Sequence, residues 1–203
     1  MAAIAFFPFQ FMDIPGVACA FTSRRGGISE PPHDSANLSF EVGDEEEVVR
    51  KNRRAIADRL GLTGWCECHQ VHGDIVHADP VPGSPEDATF PDGDGLTTAT
   101  PGHGLIIKTA DCQPVLLAHK SGRFVAGLHV GWRGNKCNFP GSGVRRFCEI
   151  YNLKPADIHA VRGPSLGPAA SQFINFAEDF GPGFNNYFNP QTQTADLWSM
   201  TRD

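Results

Sequence analysis

Three short segments carry the residues best suited to chemistry: Gln70-Val71-His72-Gly73, Thr109-Ala110-Asp111-Cys112 and His129-Val130-Gly131-Trp132-Arg133-Gly134. Each sets an imidazole or a thiol among small residues, at or near the end of an apolar run that reads as a strand. Two histidines and a cysteine can form a three-ligand zinc or copper site with a fourth position open to water or substrate. The same groups can act without metal, Cys112 as nucleophile and His129 as base. His72 and Cys112 lie 40 positions apart, so no short ligand spacing ties them together. Their context is the stronger signal. Glycines beside both histidines let backbone and ligand come close. Asp111 can orient a neighbouring group, and Trp132 and Arg133 offer a stacking face and an anion clamp.

A rival cluster is Cys66-Glu67-Cys68-His69. On a strand the two thiols share a face, where such pairs pack as small hydrophobes or bind a metal. Cys137 and Cys148 read as structural. A second place for an anion is Ser23-Arg24-Arg25-Gly26-Gly27, a glycine turn whose N–H groups can face an oxyanion beside Arg25.

The elements that must position these groups follow from periodicity and punctuation. Residues 4–11 and 17–22 read as strands around Ile14-Pro15-Gly16. Asp44 to Leu60 reads as a helix, with Asp44 as cap, Glu47 three residues on, a stripe of Val48, Val49, Ile56 and Leu60, and Gly61 as stop. Strands are expected at 65–71 and 74–78, broken at His72-Gly73, and at 104–110, 114–119 and 123–130. The last two are joined by the turn Lys120-Ser121-Gly122. Residues 79–95, with four Pro, three Gly and five acidic residues, read as a loop long enough to form a flap. A helix is expected from about Gly143 to Tyr151 and a strand over Ile158–Val161. The segment beyond Gly181 gives no assignable pattern. The base expectation is a mixed α and β fold.

The 203 residues form one expected domain, 1–203, because no linker divides them. An apolar fraction of 40% and 15 Phe supply a core. A net charge of -6 and a pI near 5.7 argue against a nucleic-acid binder. There is no polybasic run to favour a membrane surface, and no stretch nears the roughly 20 apolar residues of a span. The apolar start, Met1 to Phe11, lacks the basic residues and cleavage site of a signal peptide. A cytoplasmic monomer acting on small molecules is expected, its six cysteines free thiols or ligands.

Seven motifs in order resemble the YfiH family, also called laccase-domain or multicopper polyphenol oxidase-like proteins. They are Thr22-Ser23-Arg24-Arg25-Gly26-Gly27-Ile28-Ser29, Asn37-Leu38-Ser39, Val42-Gly43-Asp44, Asn52-Arg53, Gln70-Val71-His72-Gly73, Ala110-Asp111-Cys112-Gln113-Pro114 together with His129-Val130-Gly131-Trp132-Arg133-Gly134, and Gly163-Pro164-Ser165-Leu166-Gly167-Pro168. The resemblance implies an α+β fold, a four-layer α/β/β/α sandwich with mixed sheets related to the catalytic domain of cytotoxic necrotizing factor toxins. It implies a His-Cys-His site on His72, Cys112 and His129, holding zinc or alternatively copper. It also implies purine nucleoside phosphorylase activity with adenosine deaminase activity, or copper phenol oxidase activity, with a bacterial branch in peptidoglycan editing. Phosphate and nucleoside are then expected to meet Arg25, Asn37 and Arg133. Two departures stand out. Ala169-Ala170 occupy the place of a family Cys-Cys pair, which disfavours a multicopper cluster. The sequence also ends at Asp203, so it is expected to lack the family's C-terminal element.

Overall fold

The computed structural model describes residues 3–203; Met1 and Ala2, the first two of the apolar N-terminal stretch, lie outside the described residues. Strand β1 (Phe6–Phe9) pairs antiparallel with β2 (Cys19–Thr22), across the expected turn at Ile14-Pro15-Gly16. Helix α1 (Glu46–Leu60) follows, stopped by Gly61 in the left-handed conformation. Its buried face is Val49, Asn52, Arg53, Ile56 and Ala57, so two polar residues lie inside the stripe. Asp44 does not cap the helix. Its carboxylate instead accepts from Ser29 Oγ (2.7 Å), Asn37 Nδ2 (3.1 Å) and the Glu45 N–H (2.9 Å), tying three loops together, and Glu45 takes the cap position without a side-chain bond.

The short β3 (Gly64–Cys66) runs parallel to β6 (His103–Leu105). Between them come β4 (Val76–Ala78) and β5 (Gly95–Thr98), also parallel to one another. Beyond lie β7 (Gln113–His119), β8 (Val125–Val130), α2 (Trp132–Lys136), α3 (Phe139–Tyr151) and β9 (Ile158–Arg162). The principal sheet has the order β4-β5-β8-β7-β9. Its β4–β5 pair is parallel and the rest antiparallel, which makes it mixed.

Alternation along β7 and β8 sets the layers. Val115, Leu117, Ala126, Leu128 and Val130 face α3, where they pack on Phe139 and Phe147. The opposite face carries Ala118, which packs with Phe11 and Ile14, and Gly127, which lies against Ile107. A further cluster joins Ile4, Trp65 and Ile106 to Ile56 and Ala57 of α1. The order is helix, principal sheet, small sheets, helix, as the resemblance implies. No helix of the described residues is long and apolar enough to cross a membrane.

Several expected elements change, the strands and the 79–95 segment for hydrogen-bonding reasons. The strand expected over 65–71 ends at Cys66, because the N–H groups of Val71, His72 and Gly73 go to the Asp94 carboxylate rather than to a ladder. The strand over 104–110 ends at Leu105. Past it, the Gln70 side chain takes over, accepting the Lys108 N–H (2.8 Å) and donating to the Lys108 carbonyl (2.7 Å). Residues 79–95 are not a free flap. Gly83 bridges to Trp65 and Asp92 to His69, and Gly95 already belongs to β5. Helix α3 starts four residues before Gly143, and the five-residue α2 was not expected.

The segment beyond Gly163 is ordered by aromatic packing. It forms α4 (Phe176–Phe180), a hairpin of β10 (Phe188–Asn189) and β11 (Thr194–Ala195), and α5 (Leu197–Arg202). Phe176 stacks on Phe188 at 4.3 Å and 8°, and Trp132 of α2 packs against Phe180 at 5.4 Å. The backbone carbonyl of Leu197 accepts from both Gln113 Nε2 and Asn135 Nδ2, which docks α5 onto β7 and α2.

Candidate metal centre

His72, Cys112 and His129 meet at the end of the principal sheet. One ligand atom from each lies within 4.8 Å of the other two, and Cys112 Sγ is 3.7 Å from His72 Nε2. A zinc with N and S ligands at about 2.0–2.3 Å holds such atoms roughly 3.3–3.6 Å apart, so the trio closes on an ion with movements of about 1 Å. His129 is the penultimate residue of β8, on the face turned toward the small sheets, and is buried. His72 sits on the loop before β4 with φ +59, a left-handed conformation uncommon outside glycine. Cys112 lies one residue before β7. The two imidazoles meet edge to face, centroids 4.8 Å apart.

Gly131 keeps the centre open. A Cβ there would stand 2.8 Å from His72 Cδ2 and 3.0 Å from Cys112 Sγ. Its φ of -83 suits any residue, so the demand is for space and not for backbone freedom. Gly131→Ala is expected to overpack the site by about 1–3 kcal/mol, which amounts to roughly a 5–150-fold loss of metal affinity if it falls on the bound geometry. A zinc competition titration checks this, and unchanged affinity would show that the loop yields without disturbing the ligands.

The two imidazoles differ in charge. Burial works against a charge on His129, but hydrogen bonds to Asp94 and to Cys112 outweigh it and raise its pKa to about 9. His72 moves down instead, through burial first and then the neighbouring His129 and Arg133 charges. Asp94 is held below the usual carboxylate range. Its burial is outweighed by the bonds from His129, Gly73 and His72. Once an ion displaces the His129 Nε2 proton, the trio offers two imidazole nitrogens and one sulfur, a donor set that suits zinc or copper.

The other expected site residues fall into distinct places. Arg133 is exposed on α2, its guanidinium 4.3 Å over the Trp132 ring and close enough to depress His72. Arg25 is also exposed. The glycines after it serve packing: a Cβ on Gly26 would strike the Ala3 carbonyl at 2.2 Å, and one on Gly27 the Ser35 carbonyl at 2.6 Å. The Asn37 amide is engaged within its own loop, donating to the Ser39 carbonyl and to Asp44 and accepting the Ser39 N–H. The Asp111 side chain is exposed, while its carbonyl accepts the Leu166 N–H and anchors the Gly163–Pro168 stretch beside Cys112.

Cys66 and Cys68 do not converge. Their thiols face the carbonyls of Pro80 and Gly95 respectively, and both are buried. Burial raises both, Cys68 to about 12. Neutral thiols of this kind are poor ligands. His69 turns outward to Asp92. The residue that the sequence reading passed over is Asp94, counted there among the acidic residues of a loop. Its one local signal is its place directly before the β-forming run Gly95-Leu96-Thr97-Thr98.

A mixed α and β fold with a His-Cys-His group at the sheet end defines a laccase-domain protein. The family model described as multi-copper polyphenol oxidoreductase laccase matches residues 18–203, and the chain belongs to that family, which includes the YfiH proteins. A purine nucleoside phosphorylase of Deinococcus radiodurans is 39% identical over 152 residues, covering 72% of this chain and 56% of the relative. One of Pseudomonas aeruginosa is 32% identical over 196 residues, covering 92% and 76%. The crystal structure of a hypothetical protein YfiH from Bacillus licheniformis superposes with a TM-score of 0.80 at 28% identity, covering 91% of this chain and 75% of that one. The chain thus spans little more than half of the first of these relatives.

Proposed function

We propose that this chain acts as a metal-dependent purine nucleoside phosphorylase with adenosine deaminase activity, and that zinc is the metal. The observation that carries the reading is the meeting of two imidazoles and one thiol, drawn from three distant segments, within 4.8 Å. The names of the relatives support the substrate class. When bound, the metal supplies Lewis acidity and a water acidic enough to ionise near neutral pH. The protein's residues do the rest. His72, Cys112 and His129 hold the ion, and the coordination position they leave free admits water or the nucleoside. Arg133, beside His72, holds phosphate, with Arg25 and Asn37 as further contacts. Copper is the alternative metal. A multicopper oxidase needs ligands for several coppers, and among the described residues a single group of three His, Cys, Asp or Glu side chains converges. The grouping of Cys112 with His129 within 4.8 Å supports a second reading, a metal-free cysteine hydrolase with Cys112 as nucleophile and His129 as base.

Elemental analysis of the purified chain, followed by adenosine and inosine turnover with and without phosphate, tests the reading. The expected result is one zinc per chain and phosphate-dependent release of base. Arg133→Lys is expected to lower phosphorolysis about tenfold with metal content unchanged. Lys loses the two parallel donors of a guanidinium, and charged hydrogen bonds are worth about 1.5–3 kcal/mol. Phosphate dependence equal to wild type in that variant would remove Arg133 from the site.

A further inference from the structure

Asp94 stands at the entry to β5 with its side chain fully buried. Its Oδ1 accepts from His129 Nδ1 at 2.7 Å and from the His72 N–H at 3.0 Å. Its Oδ2 accepts from the Gly73 N–H at 2.7 Å and the Val71 N–H at 3.2 Å. Its backbone carbonyl accepts the His129 N–H at 2.7 Å. One carboxylate therefore grips the ring of one ligand and the main chain that carries another.

We infer that Asp94 is the positioning residue of the metal centre, an inference that rests on the metal-dependent reading above. It acts in two ways. By accepting from His129 Nδ1 it keeps the proton on that nitrogen, so that Nε2 presents its lone pair to the ion; an imidazole ligand needs its second nitrogen fixed in this manner. By gathering three successive N–H groups it forms the anion at the centre of a backbone nest. The nest stabilises the left-handed turn at His72 that directs this side chain toward Cys112. Both histidines are thereby oriented before any ion arrives.

The arrangement is sensitive to a single atom. In Asp94→Asn one oxygen becomes an NH2 group. Placed at the Oδ1 position it faces two donors, the His72 N–H and His129 Nδ1–H. Placed at Oδ2 it faces the N–H groups of Val71 and Gly73. The first placement drives the His129 proton to Nε2, and the second dismantles the nest.

The test uses the full chain, with zinc as the probe. Competition titration against a chromogenic chelator should show zinc binding weakened about 10–100-fold in Asp94→Asn, the usual effect of removing such a partner. In ¹⁵N-labelled, metal-free protein at a pH where the ring is neutral, wild-type His129 should carry its proton on Nδ1, and the variant should shift it toward Nε2. A role in folding alone would lower the melting temperature without moving that proton. Zinc affinity within twofold of wild type, or a folded variant in which neither the His129 proton nor the amide resonances of Val71, His72 and Gly73 move, overturns the inference. If Asp94→Asn does not fold, the wild-type spectrum decides, since a proton on Nε2 with Nδ1 bare also overturns it. Absence of zinc binding by the wild-type chain would sink the metal reading, while the proton's position still reports on the Asp94 bond.

Discussion

Cys112→Ala is expected, if the proposed metal-dependent activity holds, to abolish metal binding and to lower nucleoside turnover by about a thousandfold. Cys112 supplies the one sulfur of the trio, 3.7 Å from His72 Nε2, and two neutral imidazoles alone hold a divalent ion far more weakly than they do with a thiolate. Losing several kcal/mol of Lewis-acid stabilisation corresponds to a rate loss of that order. Cys112 is partly exposed and outside the core clusters, so its truncation should leave the melting temperature of the metal-free protein nearly unchanged. Metal stoichiometry by elemental analysis and kcat/KM for adenosine and inosine check the result, with the exposed Cys137→Ala as control. Full metal content and turnover within threefold of wild type would show that the sulfur is not a ligand. Turnover by a wild-type chain that binds no metal, lost in Cys112→Ala, would point to Cys112 as a nucleophile.

Glu67→Ala should cost about 3–5 kcal/mol of stability, the usual effect of removing one partner from a buried ion pair. Its carboxylate is fully enclosed, as is the Arg53 guanidinium, which meets it through two nitrogens at 2.9 Å. Trp65 Nε1 donates to the same carboxylate at 2.7 Å and Lys108 Nζ lies 2.9 Å away. Arg53 in turn stacks on Phe40 at 4.3 Å and donates to the Leu38 carbonyl at 2.6 Å. With Glu67 gone, this cation stays buried among aromatic rings without its counter-charge. A chain of this size should melt ~6–20 °C lower, which thermal unfolding followed by circular dichroism measures. The double change Arg53→Met with Glu67→Leu should recover much of the loss, because an apolar pair of similar volume needs no desolvated charge. A Glu67→Ala protein within about 1 kcal/mol of wild type would show that water or Lys108 neutralises Arg53 in its place.

Glu67 lies inside Cys66-Glu67-Cys68-His69, where the sequence drew attention to the thiols. The thiols turn out to be packed and neutral, and the carboxylate between them joins α1 to the small sheet. A similar exchange of roles occurs at Asp44, which reads as a helix cap and serves as a junction of loops. In both cases the residue type announces a hydrogen-bonding capacity, and only the fold selects the partner.

What the sequence determined by itself was whatever rests on local order. The stripe and terminal glycine of α1, the β7–β8 hairpin across Lys120-Ser121-Gly122, and the motifs around His72, Cys112 and His129 are each written within a few residues. Their ordered succession was enough to indicate the family. The tertiary structure decided the rest. Asp94 reaches His129 across 35 positions and Arg53 reaches Glu67 across 14, and a bond between side chains so far apart leaves no periodic trace. The segment beyond Gly181 gave no local pattern, because its aromatic rings find their order only against the rings of the preceding segment. Hydrophobic periodicity is a property of one element, whereas the satisfaction of a buried charge is a property of the whole enclosure.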